Sequence, residues 1–125
     1  MKLGILDHVN ILTANLEEMT AWYCDILGMT HGERPPFSFD GAWLYVGDLP
    51  YVHLVSTPTK RQVIEPQIEH FAFTATGMTE FLDLLDNRSI AYRRSEVPSY
   101  GIIQINIHDP DGNRIHVDFK AHEAE

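Results

Sequence analysis

Apolar positions in this chain change period twice, in the same order each time. Residues 3–12 alternate, with Ile5, Val9 and Ile11 on one face and Leu6, His8 and Asn10 on the other, which predicts a strand. Leu16, Met19, Tyr23, Ile26 and Leu27 then recur at helical spacing. Asn15, with Glu18 three residues on, makes a capping-box start, and Gly28 is a natural stop. Residues 32–37 contain Pro35-Pro36 and are extended or loop-like. Residues 42–46 and 51–55 read as strands joined by the turn signal Gly47-Asp48.

After a linker at about residues 57–66, the order repeats. Within that linker, Gln62-Val63-Ile64 could pack locally. Residues 67–75 predict a strand with Ile68, His70, Ala72 and Thr74 on one face. Met78, Phe81, Leu82 and Leu85 mark an amphipathic helix ending near Asn87. Strands are expected at 90–94 and 101–107, with Val97-Pro98-Ser99 between them. Asp109-Pro110-Asp111-Gly112-Asn113 is a turn. It leads into a last strand that turns Ile115, Val117 and Phe119 one way and Arg114, His116 and Asp118 the other. Residues 122–125 form a polar tail with no evident role. Each half thus reads strand, helix, strand, strand, strand: an α+β chain of two βαβββ modules, about 3–56 and 67–119, within a single domain of 125 residues.

Composition narrows the partners. A formal net charge of −9 argues against nucleic acid, whose phosphates call for Lys and Arg clusters. No apolar run approaches a membrane span, and the N-terminus has no basic region followed by an apolar signal stretch. A lone Cys24 forms no internal disulfide and fits a reducing, cytoplasmic compartment.

The repeat extends to its histidines. Asp7-His8-Val9 is echoed by Glu69-His70-Phe71, 62 residues on, and Val52-His53-Leu54 by Ile115-His116-Val117, 63 residues on. A transition ion needs three or four ligands converging from separate elements, and imidazole suits Zn, Ni, Fe and Cu. His8, His53, His70 and His116, all expected mid-strand, are the candidate set. Asp118, on the face of His116, is a candidate to orient a ligand imidazole from outside the metal's own shell. His31, His108 and His122 have no partner at a matching offset and read as solvent or turn residues, with His108 near the rim.

These stretches resemble the vicinal oxygen chelate superfamily, which includes glyoxalase I, extradiol dioxygenases, epimerases, and fosfomycin-resistance and bleomycin-binding proteins. The resembling residues are Leu6-Asp-His-Val-Asn-Ile11, Trp22-Tyr-Cys-Asp-Ile-Leu-Gly28, Glu69-His-Phe-Ala-Phe73 and Asp109-Pro-Asp-Gly-Asn-Arg-Ile115. The resemblance implies a cupped, half-barrel mixed sheet with helices outside. It also implies ligands on the first and last strands of each module, which are His8, His53, His70 and position 116. Many metal-binding members carry Glu at that last position; here it is His116.

By that resemblance, a divalent ion (Zn, Ni, Co or Fe) would chelate two neighbouring oxygens of a small substrate and stabilise an enolate-like species, in a lyase or isomerase reaction. His116 is the candidate base, since imidazole titrates near working pH. Arg34 could hold a substrate carboxylate, and Tyr51, Tyr100 and Trp43 could line the pocket. The rivals are extradiol ring cleavage, which favours Fe(II) with two His and one carboxylate, and non-catalytic sequestration of a bleomycin-type drug. Homodimers are expected of small members.

Overall fold

The two stretches of alternation and helical spacing fold into two sheets of the same topology. The computed structural model describes residues 1–2, 4–59 and 68–124; Gln62-Val63-Ile64 lies outside them. The chain divides into two compact units, Met1–Gln62 and Val63–Glu125.

In the first unit, β1 (Val9–Thr13), α1 (Leu16–Ile26), β2 (Thr30–Gly32), β3 (Gly41–Val46) and β4 (Leu49–Ser56) form a sheet of order β1-β4-β3-β2. β1 runs parallel to β4, and the other pairings are antiparallel. Alternation explains the layering. Val52 and Leu54 of β4, with Ala42 and Leu44 of β3, are buried, as are Met19, Tyr23 and Ile26 of α1, which lies on β3 and β4. Each such side chain contributes roughly 1.5–3 kcal/mol by leaving water. Asn15 takes the N-cap position without a side-chain capping bond. Its backbone N–H donates instead to the Thr13 hydroxyl, at 2.9 Å.

The second unit repeats the plan with β5 (Phe71–Thr74), α2 (Met78–Asn87), β6 (Arg93–Val97), β7 (Ile102–His108) and β8 (Arg114–Lys120), in the order β5-β8-β7-β6. Its core is Ile103, Ile105 and Ile107 with Ile115, Val117 and Phe119, plus Met78 and Leu85 of α2. The turn between β7 and β8 is organised by Asp109. Its Oδ1 accepts from the backbone N–H of Asp111 and Asn113, and its Oδ2 from the Asn113 amide. Gly112 there has φ 86°, open to glycine at little cost.

Two sequence expectations change. The polar tail has a structural task, because the Glu123 carboxylate accepts from the backbone N–H of Gly77 and Met78 at 2.7 and 3.1 Å. It satisfies donors at the start of α2 and places negative charge against the helix dipole. The strand expected at 90–94 begins instead at Arg93, because the Ile90 N–H donates to the Leu85 carbonyl and closes the end of α2.

Candidate functional site

His53 and His116 occupy the same place in their respective sheets. His53 pairs across β1 with Asn10, and His116 pairs across β5 with Ala72. Their partners His8 and His70 stand one residue ahead of β1 and β5, rather than mid-strand as the alternation predicted. Each pair nonetheless meets. The His8 and His53 rings stack at 4.0 Å and 9°, and the His70 and His116 rings at 4.0 Å and 7°. One register, used twice, explains the two nearly equal histidine spacings in the chain.

Around the first pair the surroundings are aromatic. Trp43 is the cross-strand partner of His53 and stacks on its other side at 4.1 Å and 11°. Phe37 and Phe39 stack on each other at 4.9 Å, and Phe37 reaches Trp43 at 6.5 Å. Arg34 lies over both phenylalanine rings and donates from Nη2 to the Phe39 carbonyl at 2.8 Å. The guanidinium proposed for a substrate carboxylate is therefore already clamping its own loop. Gly41 makes room for it, since a Cβ there would meet Arg34 Nη2 at 2.9 Å and run into the Leu54 carbonyl oxygen. Tyr51 shares the His53 face of β4 and is half-buried.

Around the second pair the surroundings are polar. Arg114 donates from Nη1 to Glu69 and from Nη2 to the Asn106 side-chain oxygen at 3.0 Å. The Asn106 amide donates in turn to the Arg93 carbonyl and the Ser95 hydroxyl.

The imidazoles split into two kinds. The two outer rings each touch the acidic residue just before them: Asp7 Oδ2 lies 2.6 Å from His8 Nδ1, and Glu69 Oε2 lies 3.6 Å from His70 Nδ1. At 2.6 Å Asp7 is hydrogen-bonded to the His8 ring and orients it, whereas Glu69 at 3.6 Å is a charged neighbour of His70 rather than a hydrogen-bond partner. The two inner rings are buried, and His53 Nε2 and both nitrogens of His116 have no hydrogen-bond partner among the described residues. Burial first, then the neighbouring His8, holds the His53 imidazole below its ordinary 6.5; a hydrogen bond with the Pro50 backbone and the Asp7 charge oppose this without cancelling it. His116 is lowered by burial, then by His70, with Arg114 adding and Asp118 and Glu69 opposing. Both rings are thus neutral lone-pair donors at pH 7.

The remaining candidate residues differ in what they touch. Asp118 makes no hydrogen bond to either His116 nitrogen, and its own Oδ1 is buried without a partner among the described residues, although its charge acts on that imidazole. The carboxylates nearest a histidine are Asp7 and Glu69, each beside its histidine in the repeated tripeptide, although strand alternation alone sends Glu69 to the face opposite His70. Tyr100 is 77% exposed in the turn at the far end of the β6–β7 hairpin and is not gathered with His116. His31, His108 and His122 are exposed, as expected.

The donor chemistry of the pairs fits a divalent transition ion, with one condition. A bound ion lies in the plane of each imidazole, about 2.0–2.1 Å from its nitrogen. Two near-parallel rings 4.0 Å apart cannot share such a point, so one ring of each pair must turn to ligate with its neighbour. Among the described residues no three His, Cys, Asp or Glu side chains gather into a metal-holding group.

Comparison with known proteins decides the family. The model of the Glyoxalase/Bleomycin resistance protein/Dioxygenase superfamily matches residues 5–117. The chain belongs to this superfamily. Within it, the chain is 32% identical to "Glyoxylase I 4" of Arabidopsis thaliana over 94% of its own length and 71% of that protein. The superfamily fold recurs in a glyoxalase family protein from Bacillus anthracis, with TM-score 0.78 and 23% identity, covering 96% of this chain and 98% of that one. It recurs again in lactoylglutathione lyase from Agrobacterium tumefaciens, with TM-score 0.67 and 18% identity over 95% and 96% of the two chains. Those two likenesses show the tandem α+β architecture. No helix among the described residues is long and apolar enough to cross a membrane.

Proposed function

We propose that this superfamily member is a divalent-metal-dependent lyase or isomerase acting on a small molecule with two neighbouring oxygens, and that His8, His53, His70 and His116 are its metal ligands. The observation that carries this is the repeated pair: in each module an outer imidazole with a carboxylate beside it stacks on a buried inner one with a nitrogen that lacks a partner among the described residues. Burying an unpartnered polar atom costs on the order of 1–3 kcal/mol, which a ligand role would offset. The names of the Arabidopsis and Agrobacterium relatives support the reaction class.

Bound there, a divalent ion supplies Lewis-acid polarisation of the substrate's oxygens. The chain supplies the rest. Asp7 holds the His8 ring by its hydrogen bond to Nδ1, Glu69 lies beside His70, and burial keeps the inner rings neutral. Proton transfer falls to His116, a buried histidine with neither nitrogen hydrogen-bonded among the described residues. Its single lone pair acts as ligand or as base, one at a time. Chains pairing as a homodimer is part of this reading, checked by analytical ultracentrifugation.

The test is metal content by mass spectrometry on purified, untagged protein, with His8→Ala and His70→Ala beside it. A stoichiometric transition metal, lost in both variants, is expected, and lactoylglutathione lyase activity is then the first assay. If His53 rather than His8 were the ring that turned to ligate, Trp43 would lose its stacking partner, and stripping and restoring the ion would change tryptophan emission in the wild type but not in Trp43→Phe. A protein that takes up no ion sinks the reading. The row of Trp43, Phe37 and Phe39 would then favour sequestration of a flat ligand without turnover.

A further inference from the structure

On the His116 side of the second sheet, one row of cross-strand neighbours reads Ala72, His116, Asn106, Arg93. The next row brings His108 opposite Arg114. Side chains in register share a face, so Arg93, His108, Arg114 and His116 all stand on it. Between them lies an open groove of about 520 Å3, lined by Ala91, Tyr92, Arg93, Asn106, His108 and Arg114.

Two features of this groove call for a ligand. It is lined by two arginines and no carboxylate, in a chain with 9 basic against 18 acidic residues. The arginines are also in different states. Arg114 is spent on Glu69 and Asn106, and Asn106 is spent on holding Arg114 and the edge strand. Arg93 has no ion pair and no side-chain hydrogen bond among the described residues, whereas its neighbour Arg94 is paired with Glu96. The groove thus has a fixed floor and one guanidinium with its whole fork to spend.

We propose that this groove binds the carboxylate of a small acidic ligand through Arg93. The guanidinium fork matches a planar carboxylate with two parallel hydrogen bonds. Arg114, His108 and Tyr92 also line it. A single unspent positive charge balances a monoanion, whereas a phosphate dianion would leave one negative charge uncompensated in an already acidic chain. Two strand spacings of about 4.8 Å separate the backbones of Arg93 and His116, so a carboxylate held here leaves the rest of a small molecule directed along the row toward His116. As a statement about the substrate this rests on the reading of His116 above; as a binding site it stands without any metal.

The experiment is an NMR titration of chelator-treated, metal-free protein with benzoate, benzamide and phenyl phosphate at constant ionic strength, repeated on Arg93→Gln and Arg93→Lys. Benzoate should saturate, with shifts at Tyr92, Asn106 and His108. Arg93→Gln should weaken it by about tenfold or more, and Arg93→Lys by less. Benzamide should not saturate, and phenyl phosphate should bind more weakly than benzoate. Arg93 is exposed at an edge strand, so both variants should fold, as circular dichroism would verify. The proposal is overturned by no saturable benzoate binding, by Arg93→Gln binding as well as wild type, or by benzamide matching benzoate. Tighter phenyl phosphate would overturn the carboxylate assignment. Since no metal is present, failure here is separate from failure of the metal ligands, which metal content reports.

Discussion

The two modules hold their histidines alike and surround them differently. Through the buried histidine, the first sheet's row reads Asn10, His53, Trp43, Gly32, and the second sheet's reads Ala72, His116, Asn106, Arg93. Where one row has an indole stacked on imidazole, the other has an amide wired to an arginine. Where one ends in a glycine, over which the Tyr45 ring lies so close that a Cβ would meet it at 2.7 Å, the other ends in an unspent guanidinium. Backbone register fixes the histidine pairs and leaves the neighbouring positions in the row free. One module can therefore specialise in apolar contact and the other in polar contact on the same scaffold.

If the pairs are functionally alike, removing either inner ring should have the same large effect. His53→Ala and His116→Ala are each expected to lower metal affinity by more than about 100-fold, since even a supporting partner is worth roughly 10–100-fold. Titration with a metallochromic competitor reads this. Unequal losses would mean that one pair is only structural. The supporting carboxylates sharpen the comparison. Asp7→Asn should cost more affinity than Glu69→Gln, because Asp7 sits at 2.6 Å from its histidine and Glu69 at 3.6 Å while also holding Arg114.

The centres of the rows differ in how their energy is stored. Asn106 is buried and bonded to several groups, so Asn106→Ala should cost about 1–3 kcal/mol. A double-mutant cycle with Arg114→Ala should show coupling of roughly 0.5–3 kcal/mol. Trp43 is half-buried and coupled to His53 by stacking alone, worth about 0.5–1.5 kcal/mol in the same kind of cycle. Urea unfolding measures both, and equal couplings would erase the distinction.

Acid should act on both inner rings in the same direction. Each imidazole is held below its ordinary 6.5, so between that value and the folded one the unfolded chain binds more protons. Stability is then complete above about pH 6.5 and falls as pH drops below it. Metal-free protein should show a lower urea midpoint near pH 5.5 than near pH 7.5. Replacing both rings by Gln should remove part of that slope, and an unchanged slope would place the acid sensitivity elsewhere.

How much of this could be read from residues alone follows from what each signal needs. Helical spacing over Leu16–Ile26 and Met78–Asn87 needs only a stripe of apolar residues, and both helices stand where the stripe lies. A three-residue strand such as Thr30–Gly32 is too short to show a period; it exists through its pairing with β3. The histidine pairs left a trace because register copies itself along the chain. Asn106 and Ser95 left none, since scattered polar residues on a strand look the same whether solvated or networked. Asp118 shares a face with His116 without a hydrogen bond to it, a distinction that alternation does not carry. The superfamily was readable from local tripeptides and turns, whereas the contrast between the rows needed strand register.

The smallest effect concerns the ends of the two helices, where the modules again take one geometry with different residues. After α1, Gly28 has φ 67°; after α2, Ser89 has φ 55° in the same left-handed region. Both follow a cap residue, Leu27 and Arg88. At Ser89 the geometry is enforced by two bonds, Ser89 N–H to the Asp86 carbonyl and Ile90 N–H to the Leu85 carbonyl. A side chain there carries a steric cost of about 1–2 kcal/mol that glycine avoids, while glycine gives back part of it through greater freedom in the unfolded chain. Ser89→Gly should therefore stabilise the protein by about 0.5–1 kcal/mol, and Gly28→Ser should destabilise it by a similar amount. Urea midpoints at unchanged slope would show both. Opposite signs at the two sites would mean that the shared backbone sets the preference, and a destabilising Ser89→Gly would mean that the serine hydroxyl contributes something glycine cannot replace.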